Sequence, residues 1–217
     1  MALAIFDLDN TLIGGDSDYL WGRFVCEQGL VDGAEFAATN DRFYEDYKSG
    51  DLDIDAYLRF ALGPLKDQPP ERLAEWHQRF MRVKINPIML PKAERLIANH
   101  RQRGDDLLII TATNAFITRP IAEALGIPEL LACEGEVVDG RYTGEPSGIP
   151  SFGEGKVTRL QQWLATRDIS LDGAYFYSDS HNDLPLLELI DKPVAVDPDE
   201  TLLAHARSKG WPVISLR

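Results

Sequence analysis

At 217 residues, with 44% apolar and 26% charged side chains, the chain has the makeup of an ordinary globular protein, enough for one α/β domain or a core with an inserted module. A formal net charge of −13 argues against a nucleic-acid footprint, which needs basic patches, and against an anionic membrane surface. Cys26 and Cys133 stand alone, in neither a metal spacing nor a disulfide framework, so they read as small buried fillers in a reducing compartment. Charge appears by Asp7 with no basic leader before it, and no apolar stretch approaches the ~20 residues that span a bilayer, so a cytoplasmic protein is expected.

The chain opens on Leu3 to Phe6, a short apolar run that passes straight into Asp7-Leu8-Asp9-Asn10-Thr11. Such a run reads as a buried strand whose C-terminal end opens into a loop. Alternation puts Asp7 and Asp9 on the same side of an extended chain. Two close carboxylates suit either a hard cation such as Mg²⁺ or a division into nucleophile and proton carrier; an ordinary strand-to-turn junction is the plain alternative.

After a loop from Thr11 to Gly15, Asp16, Ser17 and Asp18 precede an apolar-periodic run, a helix N-cap signature. From Tyr19 to about Arg82 apolar residues recur at helical spacing, broken by Gly29, Gly33, Gly50, Gly63 and Pro69-Pro70. Four or five short aromatic-rich helices are expected there, forming an inserted all-helical cap with its own core.

A helix follows from about Lys92 to Arg103, then a buried strand from Leu107 to Ile110 that ends in Thr111-Ala112-Thr113-Asn114. The next helix covers Ala115 to Leu125, and a short strand is expected at Leu130 to Ala132. Asp139-Gly140 lies inside a Glu136 to Thr143 hairpin. Gly153-Glu154-Gly155-Lys156 leads into a helix to about Thr166. A fourth strand, Ala174 to Tyr177, runs into Ser178-Asp179-Ser180-His181-Asn182-Asp183 and a helix from Leu184 to Leu189. Pro193 to Val196, Glu200 to Lys209 and Pro212 to Leu216 complete a strand, a helix and a closing strand. This alternation predicts an α/β fold: a Rossmann-like parallel sheet with helices on both faces. Residues 1–15 and 84–217 are its catalytic core, and residues 16–83 its cap.

Three strand tips, Asp7/Asp9, Thr111/Thr113 and Asp179/Asp183, would lie along one edge of such a sheet, and Lys156 can reach the same edge from a helix start. Carboxylates crowded together need a cation among them. With a hydroxyl and an ammonium added, the set suits a phosphoryl group.

These motifs, in this order, resemble those of the haloacid dehalogenase superfamily. The chain is similar in particular to its phosphoserine-phosphatase-like branch, in which a helical cap follows the first motif. The resemblance implies a Mg²⁺-dependent phosphomonoesterase acting through an aspartyl-phosphate on a small-molecule phosphate monoester. It implies that Asp7 is the nucleophile and that Asp9 is the general acid and then base, with its main-chain carbonyl on the metal. By the same resemblance Thr111 binds phosphoryl oxygens and Lys156 pairs with the phosphoryl group and Asp7. Asp179 would ligate Mg²⁺, Asp183 support it from behind, and Asn182 touch phosphate. Thr113 and Asn114 are left between capping the next helix and binding substrate. His181, His77, His100 and His205 read as hydrogen-bonded or packing residues.

Substrate choice rests on Asp16, nine residues after Asp7, where the branch carries a carboxylate for a substrate amine. A helix N-cap is the competing reading. The position of the branch's carboxylate-binding arginine falls on Ala61, with Arg59 two places away as an uncertain substitute. An amine site without that arginine points to a phosphorylated amino alcohol. The segments Gly14 to Gly22 and Ile110 to Asn114 resemble a bacterial subgroup that includes histidinol-phosphate phosphatases. L-Histidinol phosphate is therefore the expected substrate, with Asp16 or Asp18 on its amine. Phosphoserine, another small phosphate ester, a phosphotransferase reaction and a non-enzymatic phosphate-binding module remain as alternatives. A dehalogenase would have no need of Asp9.

Overall fold

The computed structural model describes residues 2–217. Its centre is a seven-stranded sheet of order β4-β3-β2-β1-β5-β6-β7. The strands are β1 (Leu3–Phe6), β2 (Asp106–Asn114), β3 (Leu130–Val138), β4 (Arg141–Ser147), β5 (Tyr175–Ser178), β6 (Lys192–Val196) and β7 (Val213–Ile214). All neighbours pair in parallel except β3 and β4, an antiparallel hairpin turning at Asp139 and Gly140, both at positive φ. Every residue of β1 is buried, as expected for the middle of a sheet covered on both faces.

Strand alternation divides the core in two. Ala4 and Phe6 of β1 with Val194 and Val196 of β6 face α5 (Pro91–Gln102) and α6 (Ala115–Ala124), through Ile97, Ile117 and Ile121. Leu3, Ile5 and Ala195 face the opposite way, onto α7 (Glu154–Leu164), α8 (Leu184–Leu187) and α9 (Glu200–Lys209), through Leu160, Leu186 and Leu202.

Between β1 and β2 the chain is helical: α1 (Ser17–Glu27), α2 (Gly33–Ser49), α3 (Ile54–Leu62) and α4 (Pro70–Phe80), the last running on into a π-turn and a 3₁₀ turn that ends at Ile88. Asp16 and Asp53 cap α1 and α3 by accepting from the N–H groups of Tyr19 and Ala56. Gly22 lets α1 and α2 meet: a Cβ there would lie 2.3 Å from the side-chain oxygen of Asn40, whose amide donates to the Tyr19 carbonyl. The way into and out of this insertion is tied at one point, where Ile13 bridges Met89 and Gly14 N–H donates to the Ile88 carbonyl.

Several boundaries differ from the sequence reading. β2 does not stop at Ile110: it continues through Asn114, which pairs with Cys133 beyond a register shift, so the small polar residues are still strand. The short strand at Leu130 and the first arm of the hairpin are one strand, because β4 pairs along its far half, with a register shift between Gly135 and Val137. The closing strand is two residues long. Cys133 is buried, but Cys26 sits on the half-exposed side of α1 and fills no core. Among the described residues no helix is long and apolar enough to cross a membrane.

Candidate active site

β1 ends in the middle of the sheet, and Asp7 is the first residue beyond it, its N–H still donating to the Tyr177 carbonyl of β5. Asp7 therefore stands at the C-terminal edge, held on both sides. The 3₁₀ turn after β5 carries Asp183, and the helix start after the close approach of Gly155 to the Pro150 carbonyl carries Lys156. A Cβ at Gly155 would fall 2.0 Å from that carbonyl oxygen, so glycine is what lets α7 begin there.

Lys156 is 2% exposed and its Nζ donates to Asp7 Oδ1 at 2.8 Å and to Asp183 Oδ2 at 2.8 Å. Burial works to lower the pKa of this ammonium, but the carboxylates of Asp183 and Asp7 outweigh it and keep it charged. Burial pushes the Asp7 carboxyl up, Lys156 pulls it back, and Asp183 pushes it up again. Asp183 also accepts from Ser178 Oγ at 2.7 Å, so its oxygens are taken up by Lys156 and Ser178. Asp179 accepts from Thr11 Oγ1 at 3.2 Å, and burial followed by the charges of Asp7 and Asp183 raises its pKa strongly.

Asp9 turns the other way. Its Oδ1 accepts from the Ser17 N–H at 2.6 Å and its Oδ2 from Thr113 Oγ1 at 2.8 Å, with Thr111 Oγ1 further off at 3.5 Å. Burial, then the charge of Asp16, lifts Asp9 to about 6. A carboxyl that titrates near neutrality and is held by two donors has the properties of a proton carrier.

Asp7, Asp9, Thr111 and Thr113 form one end of a cavity whose other walls come from the helical insertion. Asp16 and Asp18 lie on α1's start, and Phe43, Tyr44, Tyr47 and Tyr57 with Leu52 and Ile54 make an aromatic and aliphatic side. Among the described residues no lysine, arginine or histidine lines it. Arg59 points elsewhere, its Nε donating to Glu145 on the β4 hairpin at 2.9 Å, and Ala61 is buried in the helical core. Asp16 combines both sequence readings: it caps α1 through Tyr19 N–H and it faces the cavity. Thr113 belongs to the site, whereas Asn114 is a helix cap, accepting from Ile117 N–H.

The Asn182 amide donates to the Tyr47 carbonyl at 3.0 Å and so ties the loop after β5 to α2. His181 hydrogen-bonds Asp199 at 2.8 Å, His100 bonds Asp105 and Tyr177, His77 the Ile117 carbonyl, and His205 Glu188. Sequence reasoning gave no role to Thr11, Ser17 or Ser178, although each is adjacent to or within a motif and each donates to a site aspartate. Tyr57 and Phe43 carry no such signal, because only helix docking decides that they face the cavity.

The donor set fits a divalent cation. Lys156 bonds Asp7 and Asp183, and Asp179 has only the Thr11 hydroxyl, so among the described residues three carboxyls at this edge meet one ammonium. Among the described residues no three acidic, histidine or cysteine side chains converge into a ready cage. A metal here would take one or two carboxylates and complete its shell with main-chain oxygen and water, the habit of Mg²⁺. Asp7 and Asp179 are the side chains free to serve. Asp9, with its carboxylate engaged by Ser17 and Thr113, has only its carbonyl to offer, and Asp183 is committed to Lys156 and Ser178.

Residues 4–188 match the model of the haloacid dehalogenase-like hydrolase family. The chain is 50% identical over 219 residues to a histidinol-phosphatase of Neisseria meningitidis serogroup C (strain 8013), covering 99% of each. It is similar to the crystal structure of a protein of unknown function from Bordetella pertussis Tohama I, with a TM-score of 0.93, 44% identity and coverage of 100% and 99%. A phosphoserine phosphatase solved with an analogue of its phospho-aspartyl intermediate shares the fold, at a TM-score of 0.72, 20% identity and coverage of 100% and 93%. A match across most of the chain and a full-length phosphatase relative at half identity lead to one assignment: the chain belongs to the haloacid dehalogenase-like hydrolase family and is one of its phosphatases.

Proposed function

We propose that this phosphatase hydrolyses a small phosphate monoester by way of an aspartyl-phosphate on Asp7, with Mg²⁺ as cofactor and L-histidinol phosphate as substrate. The observation that carries the reaction is a pair of neighbouring aspartates with different partners. Asp7 is held by Lys156 at 2.8 Å, while Asp9, two residues on, is oriented by Ser17 and Thr113; burial raises both carboxyls, Asp7 to about 7 and Asp9 to about 6.

In the first step an Asp7 carboxylate oxygen attacks phosphorus in line with the ester bond. The new O–P bond forms as the ester P–O bond breaks, and Asp9 gives its proton to the departing alkoxide. In the second step the Asp9 carboxylate takes a proton from water, whose oxygen attacks phosphorus; the acyl-phosphate P–O bond breaks and Asp7 is freed. Lys156 neutralises phosphoryl oxygens and Asp7, and Thr111 donates to the phosphoryl group. Asp7, Asp179 and the Asp9 carbonyl would hold Mg²⁺, which would supply positive charge for the phosphoryl oxygens. Residues 16–83 act as a cap over a core of residues 1–15 and 84–217, a division supported by the bridge between Ile13 and Met89, which closes the insertion at its base.

The substrate follows from the cavity's charge. Among the described residues four aspartates and no basic side chain line it, so a cationic leaving group is welcome and a carboxylate is repelled. This favours an amino alcohol phosphate over phosphoserine, and the 50% identical relative named for histidinol phosphate favours the same ester. Phosphate release from L-histidinol phosphate and O-phosphoserine, measured with Mg²⁺ and with Asp7→Asn as blank, tests the proposal. A kcat/KM at least about tenfold higher for histidinol phosphate, about 1.4 kcal/mol, is expected. Equal or better use of phosphoserine removes the substrate assignment, and equal activity of Asp7→Asn removes the mechanism.

A further inference from the structure

One acid in the cavity has no task in this chemistry. Asp18, in the first turn of α1, is 5% exposed, lines the cavity, and its Oδ2 accepts no hydrogen bond among the described residues. Leaving a buried carboxylate oxygen unpartnered costs about 1–3 kcal/mol or more. Buried acids are normally paired with a cation or a donor set. Asp18 has no cation: the Tyr57 hydroxyl is the neutral donor that eases its charge, and the ammonium of Lys156 is committed to Asp7 and Asp183.

Resting on the phosphomonoesterase reading, we infer that Asp18 and Tyr57 form a second nitrogen-binding subsite, distinct from Asp16, selecting amino alcohol phosphates that carry another N–H donor on a planar ring. Asp16, the extended N-cap, and Asp18, in the first turn of α1, both line the cavity, so two acids are present for two donors. Asp18 neighbours Tyr57 on the α3 wall of the cavity, which leaves Asp16 for an amine two carbons from the ester oxygen. Asp18 then serves the remoter nitrogen. Phe43, Tyr44 and Tyr57 supply ring faces for a planar, partly cationic group. Burial lifts both Asp16 and Asp18 to about 7, so each releases its proton readily once a cation arrives.

Two readouts on Asp18→Asn test this. The first is the ratio of kcat/KM for L-histidinol phosphate to that for O-phosphoethanolamine, which keeps the amine and lacks the ring. The variant should lower the ratio at least about tenfold. The second needs no phosphoryl chemistry: L-histidinol should raise the melting temperature of the wild type and not of the variant. Ligand-free Asp18→Asn should itself melt higher than wild type at pH 8, because an uncompensated buried charge is gone; a merely structural aspartate would give a lower value. Asp18→Ser should repeat the loss of ratio if the asparagine variant folds poorly. An unchanged ratio, or equal stabilisation of variant and wild type by L-histidinol, overturns the subsite. If the wild type hydrolyses neither ester while L-histidinol stabilises it through Asp18, the subsite stands and the proposed substrate falls.

Discussion

Lys156→Met removes the single ammonium from a site that holds three carboxylates. In the folded protein Nζ reaches Asp7 at 2.8 Å and Asp183 at 2.7 Å, with side-chain exposures of 2%, 8% and 4%. Methionine fills a similar volume, so the loss is electrostatic rather than a cavity. Breaking a buried pair by deleting one partner costs about 3–5 kcal/mol. For a chain of this length that is roughly 2–4 °C in melting temperature per kcal/mol. The assay is urea unfolding of the metal-free proteins at several pH values. A carboxyl whose folded pKa is raised binds its proton more tightly folded than unfolded, so folding gains as pH falls from the folded value towards ~4. Burial raises Asp7, and Lys156 is what opposes it there, so the deficit of Lys156→Met at pH 8 should shrink on acidification to pH 5. Adding Asp183→Asn should recover part of the deficit, a coupling of about 0.5–3 kcal/mol. A deficit under about 1 kcal/mol at pH 8, or one that does not change with pH, would refute a charge-based role for Lys156.

Two other substitutions probe the edges of the site. Thr113→Val removes the 2.8 Å donor that orients Asp9; kcat should fall about 10–100-fold with little change in KM, and the acid limb of the pH–rate profile should move up, since a donor to the carboxylate has been lost. Steady-state kinetics across pH checks both. Gly22→Ala puts a methyl against the Asn40 amide, displaces it from the Tyr19 carbonyl and separates α1 from α2, at a cost of about 1–3 kcal/mol read by thermal unfolding.

Much of the catalytic edge was legible in the sequence because each part of it is local. A short apolar run that ends in Asp7 and Asp9 must bring them to a strand tip, whatever packs around it, and the same holds for Thr111, Thr113 and the loop after β5. Alternating strands and helices imply a parallel sheet, and a parallel sheet implies one common edge. What the sequence left undecided depends on how separate pieces dock. Asn182 could be placed near phosphate by its motif, yet the approach of α2 turns its amide to the Tyr47 carbonyl. Arg59 could be brought into the cavity on paper, yet α3 packs against β4 and gives it to Glu145. Helical periodicity says that Phe43 and Tyr57 lie on a buried face, but a buried face packs as readily on a core as on a cavity. Only the tertiary structure distinguishes the two, because an unpartnered carboxylate oxygen and a wall without bases are properties of several helices meeting and belong to none of them alone.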